Sequence, residues 1–295
     1  MKSPSSIKRC RPILGTFVEI TLTDDERPER WLHDLAEMAF GRIARVQSLM
    51  SFHDPSSELS RLNACGYLHP LAVNEWTREV VEEAVRLGQA SDGIFDITVA
   101  PDLVKWGFLP KPVAGHTGEQ GTYRDIVLHP DGRISFRKPL LLDLGGIAKG
   151  FAVDKAAEIL NESGVRQGVV NAGGDLRFIG EIPDSVALRD PRAPREAVLE
   201  TPVTAPAVAT SAAYFANRRY HKRKVSHILH PRTRKPMRSN VSVSVFARTC
   251  MNADALAKVV LLDEPSQWQS LLVAEEASAV FITAKGEAVC FPAAA

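Results

Sequence analysis

"LLLDLGGIAKGFAVDKAAEILNESGVRQGVVNAGGDLRFIG" (residues 140–180) carries the reading of the fold. The apolar run at its start reads as a buried strand, ended by Gly145 and Gly146. A helix follows from about Ile147 to Ser163, with Gly164 as its stop. "QGVVNAGGDLRFIG" then reads as a strand, a glycine turn and a second strand. A helix followed directly by a hairpin breaks the regular alternation of a doubly wound sheet. The pattern points to α+β, with mixed sheets flanked by helices.

The flanks agree. "GTFVEITL" (residues 15–22) is β-branched and alternating, hence a strand. Pro28 opens a long helix in which Leu32, Leu35, Ala39, Ile43, Val46 and Met50 keep the 3.6-residue period. Residues 54–63 read as a turn into a short helix. Asn74 is a good N-cap for a helix that stops at Gly93. "DIVLHPDGRISF" is a hairpin with Pro-Asp-Gly at its turn. Residues 110–121 and 190–206 read as surface loops. "NVSVSVFA" alternates as a half-buried strand, and "NADALAKVVLL" (residues 252–262) is a short helix behind the cap Thr249. "ASAVFIT" and "EAVCF" close the chain as a strand pair.

With 295 residues the chain suits one large domain or two closely packed lobes. A net charge of +1 gives no global field to recruit nucleic acid or a membrane surface. Cys10, Cys65, Cys250 and Cys290 make neither a CxxC nor a zinc spacing, so reduced thiols are expected. No apolar run reaches the roughly 18 residues of a membrane helix. The first 20 residues carry basic side chains but no apolar core of a signal peptide. That pattern predicts an unprocessed N-terminus and a cytoplasmic protein.

Chemistry concentrates in three places. At Asp143, Gly145, Gly146 and Lys149 a chain turns into a helix start, where backbone N–H groups and a lysine suit an anion such as phosphate; a tight turn with a solvated lysine is the plainer reading. At Asn171, Gly173, Gly174 and Asp175 a second glycine turn either closes a hairpin or shares a pocket with the first. His227 and His230 sit at a strand end before Pro231, where an imidazole serves as a proton acceptor or simply as a satisfied polar residue. The basic cluster at residues 218–224 reads as a hairpin tip, and Cys250 as a small buried apolar residue.

In order, "LGTFVEI", "MSFHDPSSELSRLN", "SDGIFDITVAP", "WGF", "LDLGGIAKGFAVD", "VVNAGGDL", "AVATS", "SHILHPRT" and "MNADALA" resemble the FAD:protein FMN transferase (ApbE) family. The likeness runs from about Arg11 to Phe291. It implies two closely packed lobes around one FAD cleft, and Mg²⁺-assisted transfer of FMN from FAD to a threonine or serine hydroxyl of an acceptor flavoprotein, releasing AMP. Leu14, His53, Ile94, Phe95, Asp96, Asp143, Lys149 and Ile228 would meet FAD, joined by Asn171 and Gly173 from the second turn. The carbonyls of Gly146 and Ala257 and the carboxylate of Asp254 would face the metal. His227 is the candidate base.

The sequence also departs from that pattern. Leu14 replaces a methionine, His53 a tyrosine and His230 an aspartate. Arg234 stands in place of a glycine, and "TSAAY" (residues 210–214) lacks a Gly-Asp. Above all, Lys258 takes the position of a metal-ligating threonine. Transfer, hydrolysis of FAD by water, and FAD binding without turnover are the three activities left open.

Overall fold

The computed structural model describes residues 4–112, 116–183, 185–189, 197–212, 218–220, 223–237 and 241–291. Ser5–Ile13 (β1) and Thr16–Asp24 (β2) form a hairpin. Its two-residue turn is Leu14 (φ 57) and Gly15 (φ 70), both left-handed as a type I′ turn needs. Strand pairing therefore starts ahead of Arg11, at Ser5.

Glu29–Met50 (α1) follows Pro28, which makes no side-chain cap. The helix is held by packing instead. All six periodic residues named above are buried, and a fully buried leucine or isoleucine contributes about 1.5–3 kcal/mol relative to exposure. Glu58–Cys65 (α2) is capped by Ser57, and Glu75–Ala90 (α3) by Asn74. Ala100–Lys105 (α4) precedes the hairpin of Ile126–Leu128 (β3) and Ile134–Phe136 (β4).

Ala148–Glu162 (α5) leads to Gln167–Ala172 (β5) and Asp175–Gly180 (β6). Ser185–Arg189 (β7) and Ala197–Pro202 (β8) form a separate ribbon. Next come Ala207–Ala212 (β9), the hairpin Arg218–Tyr220 (β10) with Arg223–Val225 (β11), and the pair Leu229–His230 (β12) with Lys235–Pro236 (β13). Ser242–Ala247 (β14), Cys250–Leu262 (α6), Pro265–Ala274 (α7), Ser278–Ile282 (β15) and Ala288–Phe291 (β16) complete the chain.

Eight strands make one sheet in the order β1-β2-β5-β6-β9-β14-β15-β16, with every pairing antiparallel. Antiparallel neighbours need no crossover helix, so the long helices are free to gather against the sheet. α1 packs on β1 and β2, α5 on β5 and β6, and α6 on β9 and β14. The architecture is α+β, as the pattern of elements predicts, but the described strands pair antiparallel throughout and the sheets are not mixed.

Three further expectations are corrected. The run Leu140 to Leu142 is fully buried but forms no strand. The side chain of Asn63 takes the place of a neighbouring strand: Oδ1 accepts from Leu142 N (2.7 Å) and Nδ2 donates to Leu142 O (3.0 Å). The stretch at residues 190–206 contains β8, because local pairing with β7 satisfies its backbone and Pro202 stands harmlessly at the ribbon's end; residues 190–196 lie outside the described residues. β14 is buried on both faces, not one. α6 covers one side, while Phe246 on the other packs with Leu188, Val208, Val280 and Leu199, so the ribbon is part of its roof. α7 is absent from the sequence reading, although Pro265 at its first position and the buried Trp268, Leu271 and Leu272 at i, i+3 and i+4 mark it. The basic cluster is a hairpin, β10–β11, whose turn lies outside the described residues.

Candidate active site

The start of α5 and the middle of α6 meet at Gly150. A Cβ there would run into the Cys250 carbonyl and stand 2.9 Å from Asp254 Cβ, so only glycine lets the two helices touch backbone to backbone. The contact brings Asp254 Oδ2 to the Gly150 N–H at 3.2 Å. Asp254 is fully buried, and its other oxygen, Oδ1, accepts from Lys258 Nζ. The same ammonium donates to the Asp254 carbonyl at 2.9 Å.

Beside this pair lies a second. Lys149 Nζ, from the first turn of α5, donates to Asp175 Oδ2 at the start of β6. Asp175 is 1% exposed, and its Oδ1 has no hydrogen-bond partner among the described residues. Burial raises the Asp175 carboxyl, and the nearby Asp254 raises it further; Lys149 and Lys258 pull it down. Burial works against the Lys149 ammonium, but Asp175 and Asp254 outweigh it and the net shift is upward. Two buried acids and two partly buried ammoniums thus form a quartet of zero formal charge. Asp175 flanks the second glycine turn in the sequence but is not among the residues that the resemblance gives to FAD or metal. Its place at the end of a glycine turn hinted at a role, but its partner lies 26 residues away.

The helix-start donors are largely spent. Ala148 N–H goes to Leu144 O (2.8 Å), Phe151 N–H to Ile147 O (3.1 Å) and Gly150 N–H to Asp254. Charge for an anion therefore comes from the lysines more than from these backbone groups. Gly146 sits beside them: a Cβ there would be 3.5 Å from Phe95 Cε2 and 3.8 Å from Lys258 Cε, ordinary contact distances. Asp143 is half-buried. Burial raises its carboxyl, while the Gly145 N–H and the fields of His53 and Lys258 lower it. His53 is exposed and close enough to Asp143 for that field to be felt.

The second glycine turn is a two-residue hairpin. Gly173 (φ 65) and Gly174 (φ 106) are left-handed, and Asn171 Oδ1 accepts from Gly174 N at 2.9 Å. Pairing of β2 with β5 sets this turn beside the Leu14 turn, with Gly173 against Thr16. Leu14 N–H is held by Gln47 Oε1 at 2.6 Å. Both turns thus lie at one end of the sheet.

Other candidates are committed to the fold. The Ile94 side chain is in the core. The Asp96 carboxylate accepts from Thr98 N (2.9 Å) and Tyr123 N (3.0 Å), which leaves its side chain spoken for. Ile228 is buried, and Ala257 is buried within α6. His227 is exposed and meets the Phe108 ring edge-on at 6.3 Å. His230 does the work of the expected aspartate: its Nδ1 accepts from Arg232 N (3.2 Å) and Thr233 N (3.4 Å). Cys250 is fully buried, and burial pushes its thiol well above the ordinary value, which suits packing and not nucleophilic attack. A small depression lined by Glu79, Asp154, Arg177 and Met251 shares none of the candidate ligand residues. No helix among the described residues is long and apolar enough to cross a membrane.

The chain is similar to proteins of known name. An FAD:protein FMN transferase of Vibrio cholerae serotype O1 is 34% identical over 235 residues, 73% of this chain and 69% of its own. One from Escherichia coli K12 is 29% identical over 276 residues, 86% of this chain and 78% of its own. The crystal structure of the ApbE protein from Thermotoga maritima superposes with a TM-score of 0.83 at 26% identity, covering 96% of each chain. The flavin transferase ApbE of Vibrio cholerae gives 0.80 at 26% identity, over 99% of this chain and 98% of that one. The family profile matches residues 14–282, across the sheet, the glycine turns and the charged seam between α5 and α6, and the chain belongs to the ApbE family.

Proposed function

We propose that this chain transfers the FMN moiety of FAD to a threonine or serine hydroxyl of an acceptor flavoprotein and releases AMP. The supporting observation is the quartet, which sets two ammoniums beside the glycine turns of an ApbE chain. A pyrophosphate brings at least two negative charges, and clamping them is the main task in phosphoryl transfer. On this reading residues 11–291 work as one domain around one FAD cleft. The reaction belongs in the cytoplasm, where the four free thiols would stay reduced.

The step balances simply. The acceptor oxygen attacks the FMN phosphorus, the P–O bond to AMP breaks, and AMP leaves with the bridging oxygen. The hydroxyl proton goes to His227, which lies exposed beside Phe108. Lys149 faces the phosphates. Asp143, His53 and Phe95 flank the nucleotide near Gly146, with Leu14, Asn171 and Gly173 at the neighbouring turns. Ile94, Asp96 and Ile228 serve from behind, by shaping the wall.

The magnesium ion implied by the resemblance is the part these residues do not fit. Asp254 has one carboxylate oxygen on Lys258 and the other on Gly150 N–H.

Incubation with FAD and an acceptor flavoprotein domain tests the reading, with acceptor mass and AMP as readouts. Added FMN mass with AMP is expected. AMP alone would mean a pyrophosphatase, and bound FAD without either product a carrier. His227→Ala should cut turnover by about 10²-fold while FAD affinity holds. Unchanged turnover would remove His227 from the mechanism.

A further inference from the structure

We propose that the Lys258 ammonium is the resident cation of this site and that the chain engages the FAD pyrophosphate without a divalent ion. The inference rests on the reading of this seam as the FAD phosphate site.

Four observations place the charge. Lys258 Nζ binds both oxygens that Asp254 offers to that side, the carboxylate Oδ1 and the backbone carbonyl. Its stem passes Gly146, whose carbonyl the resemblance gives to the metal. Its field reaches Asp143 and Asp175. Its side chain is only 17% exposed, so the ammonium is held inward and not extended into water.

Charge and valence then argue together. Asp175 and Asp254 are matched by Lys149 and Lys258. A divalent ion at Asp254 would have to displace the Lys258 ammonium from both of its acceptors or sit beside it in a poorly solvated seam, where like charges repel far more than in water. A threonine at position 258 would leave two carboxylates against one lysine, a net negative site with a hydroxyl to ligate a cation. An ammonium has three N–H donors and no acceptor. Two of those donors go to Asp254, and the third is left for a phosphate oxygen.

The test compares FAD affinity of the whole protein in EDTA and in excess MgCl₂. The wild type should bind FAD equally in both, within about threefold. Lys258→Thr should bind FAD about tenfold or more tightly with Mg²⁺ than with EDTA. Lys258→Met keeps the stem but loses the charge; it should lose about tenfold in FAD affinity in EDTA. FAD binding by the wild type only with Mg²⁺ overturns the inference, whatever the variants do. So does an unchanged affinity in Lys258→Met. If the wild type binds no FAD in either buffer, the proposed function and the FAD half of the inference fall together, and calorimetry with MgCl₂ alone decides whether Lys258 holds the cation's place. Heat of binding from Lys258→Thr but not from the wild type upholds it, and equal behaviour of the two overturns it.

Discussion

Lys258 on α6 and Arg234 in the β12–β13 turn are both long cations standing where the resemblance expects a small neutral residue. The two regions absorb them differently. Arg234 has φ 56, a left-handed backbone that explains why glycine is usual there. For a non-glycine residue that conformation costs about 1–2 kcal/mol. The side chain offsets the cost by reaching away from the turn, to Asp102 Oδ2 at 3.2 Å and to the Gly121 carbonyl. The corner keeps its shape, helped by His230 in the manner of an aspartate. Lys258 has no such exit. It lies on a helix packed into the core and closes on Asp254 one turn earlier, inside the site. A substitution in the corner is a matter of folding; one in the seam bears, on the inference above, on which ion the site holds.

The difference is open to attack by mutation. The largest effect should come from Gly150→Ala. Its Cβ would meet a helix carbonyl that cannot move without shifting α6, so a loss of about 3 kcal/mol or more is expected in denaturant unfolding. A loss under about 1 kcal/mol would mean that the two helices slide, and that the seam is softer than the corner.

Next comes pH. Asp154 caps α6 by accepting from Cys250 N (2.9 Å) and Met251 N (2.8 Å). Burial, outweighing those bonds and Arg177, raises its carboxyl from 3.8 to about 6. A carboxyl raised on folding binds its proton more tightly in the native state. Its contribution is therefore greatest at low pH and declines as pH rises from about 4 to about 6. At most about 3 kcal/mol is involved, at 1.36 kcal/mol per unit. Unfolding free energies of the wild type and Asp154→Asn should diverge across that window, the wild type losing ground as pH rises. A constant gap would show that the cap is ionised throughout.

The smallest effect should be Arg234→Gly. Relief of backbone strain offsets part of the lost ion pair, and a net loss of about 1 kcal/mol is expected, with FAD affinity untouched. A drop in FAD affinity of tenfold or more would tie the corner to the ligand and erase the contrast with Lys258.

Much of this was readable from local sequence. Asn74 and Thr249 sit where helix starts need side-chain acceptors, and both cap. The period of α1 named its buried face. The Asn-Ala-Gly-Gly-Asp turn named its hairpin, since two successive residues at positive φ want glycine. The pairing of Lys258 with Asp254 followed from four-residue spacing on a helix. Each of these depends on dihedral preferences and neighbours within about one turn of chain.

Other features depended on contacts that chain-local preferences do not encode. Leu140 to Leu142 look like a strand because they are apolar and extended, yet their hydrogen-bond partner is an asparagine 79 residues earlier. β14 alternates like a half-exposed strand, but a ribbon formed by β7 and β8 buries its second face. Asp175 gained its partner only when β6 met the first turn of α5 and placed Lys149 on it. Caps and periodicity set which elements form. Burial, and the choice of partner for a polar group, arise when distant segments exclude water together, and that happens only in the packed chain.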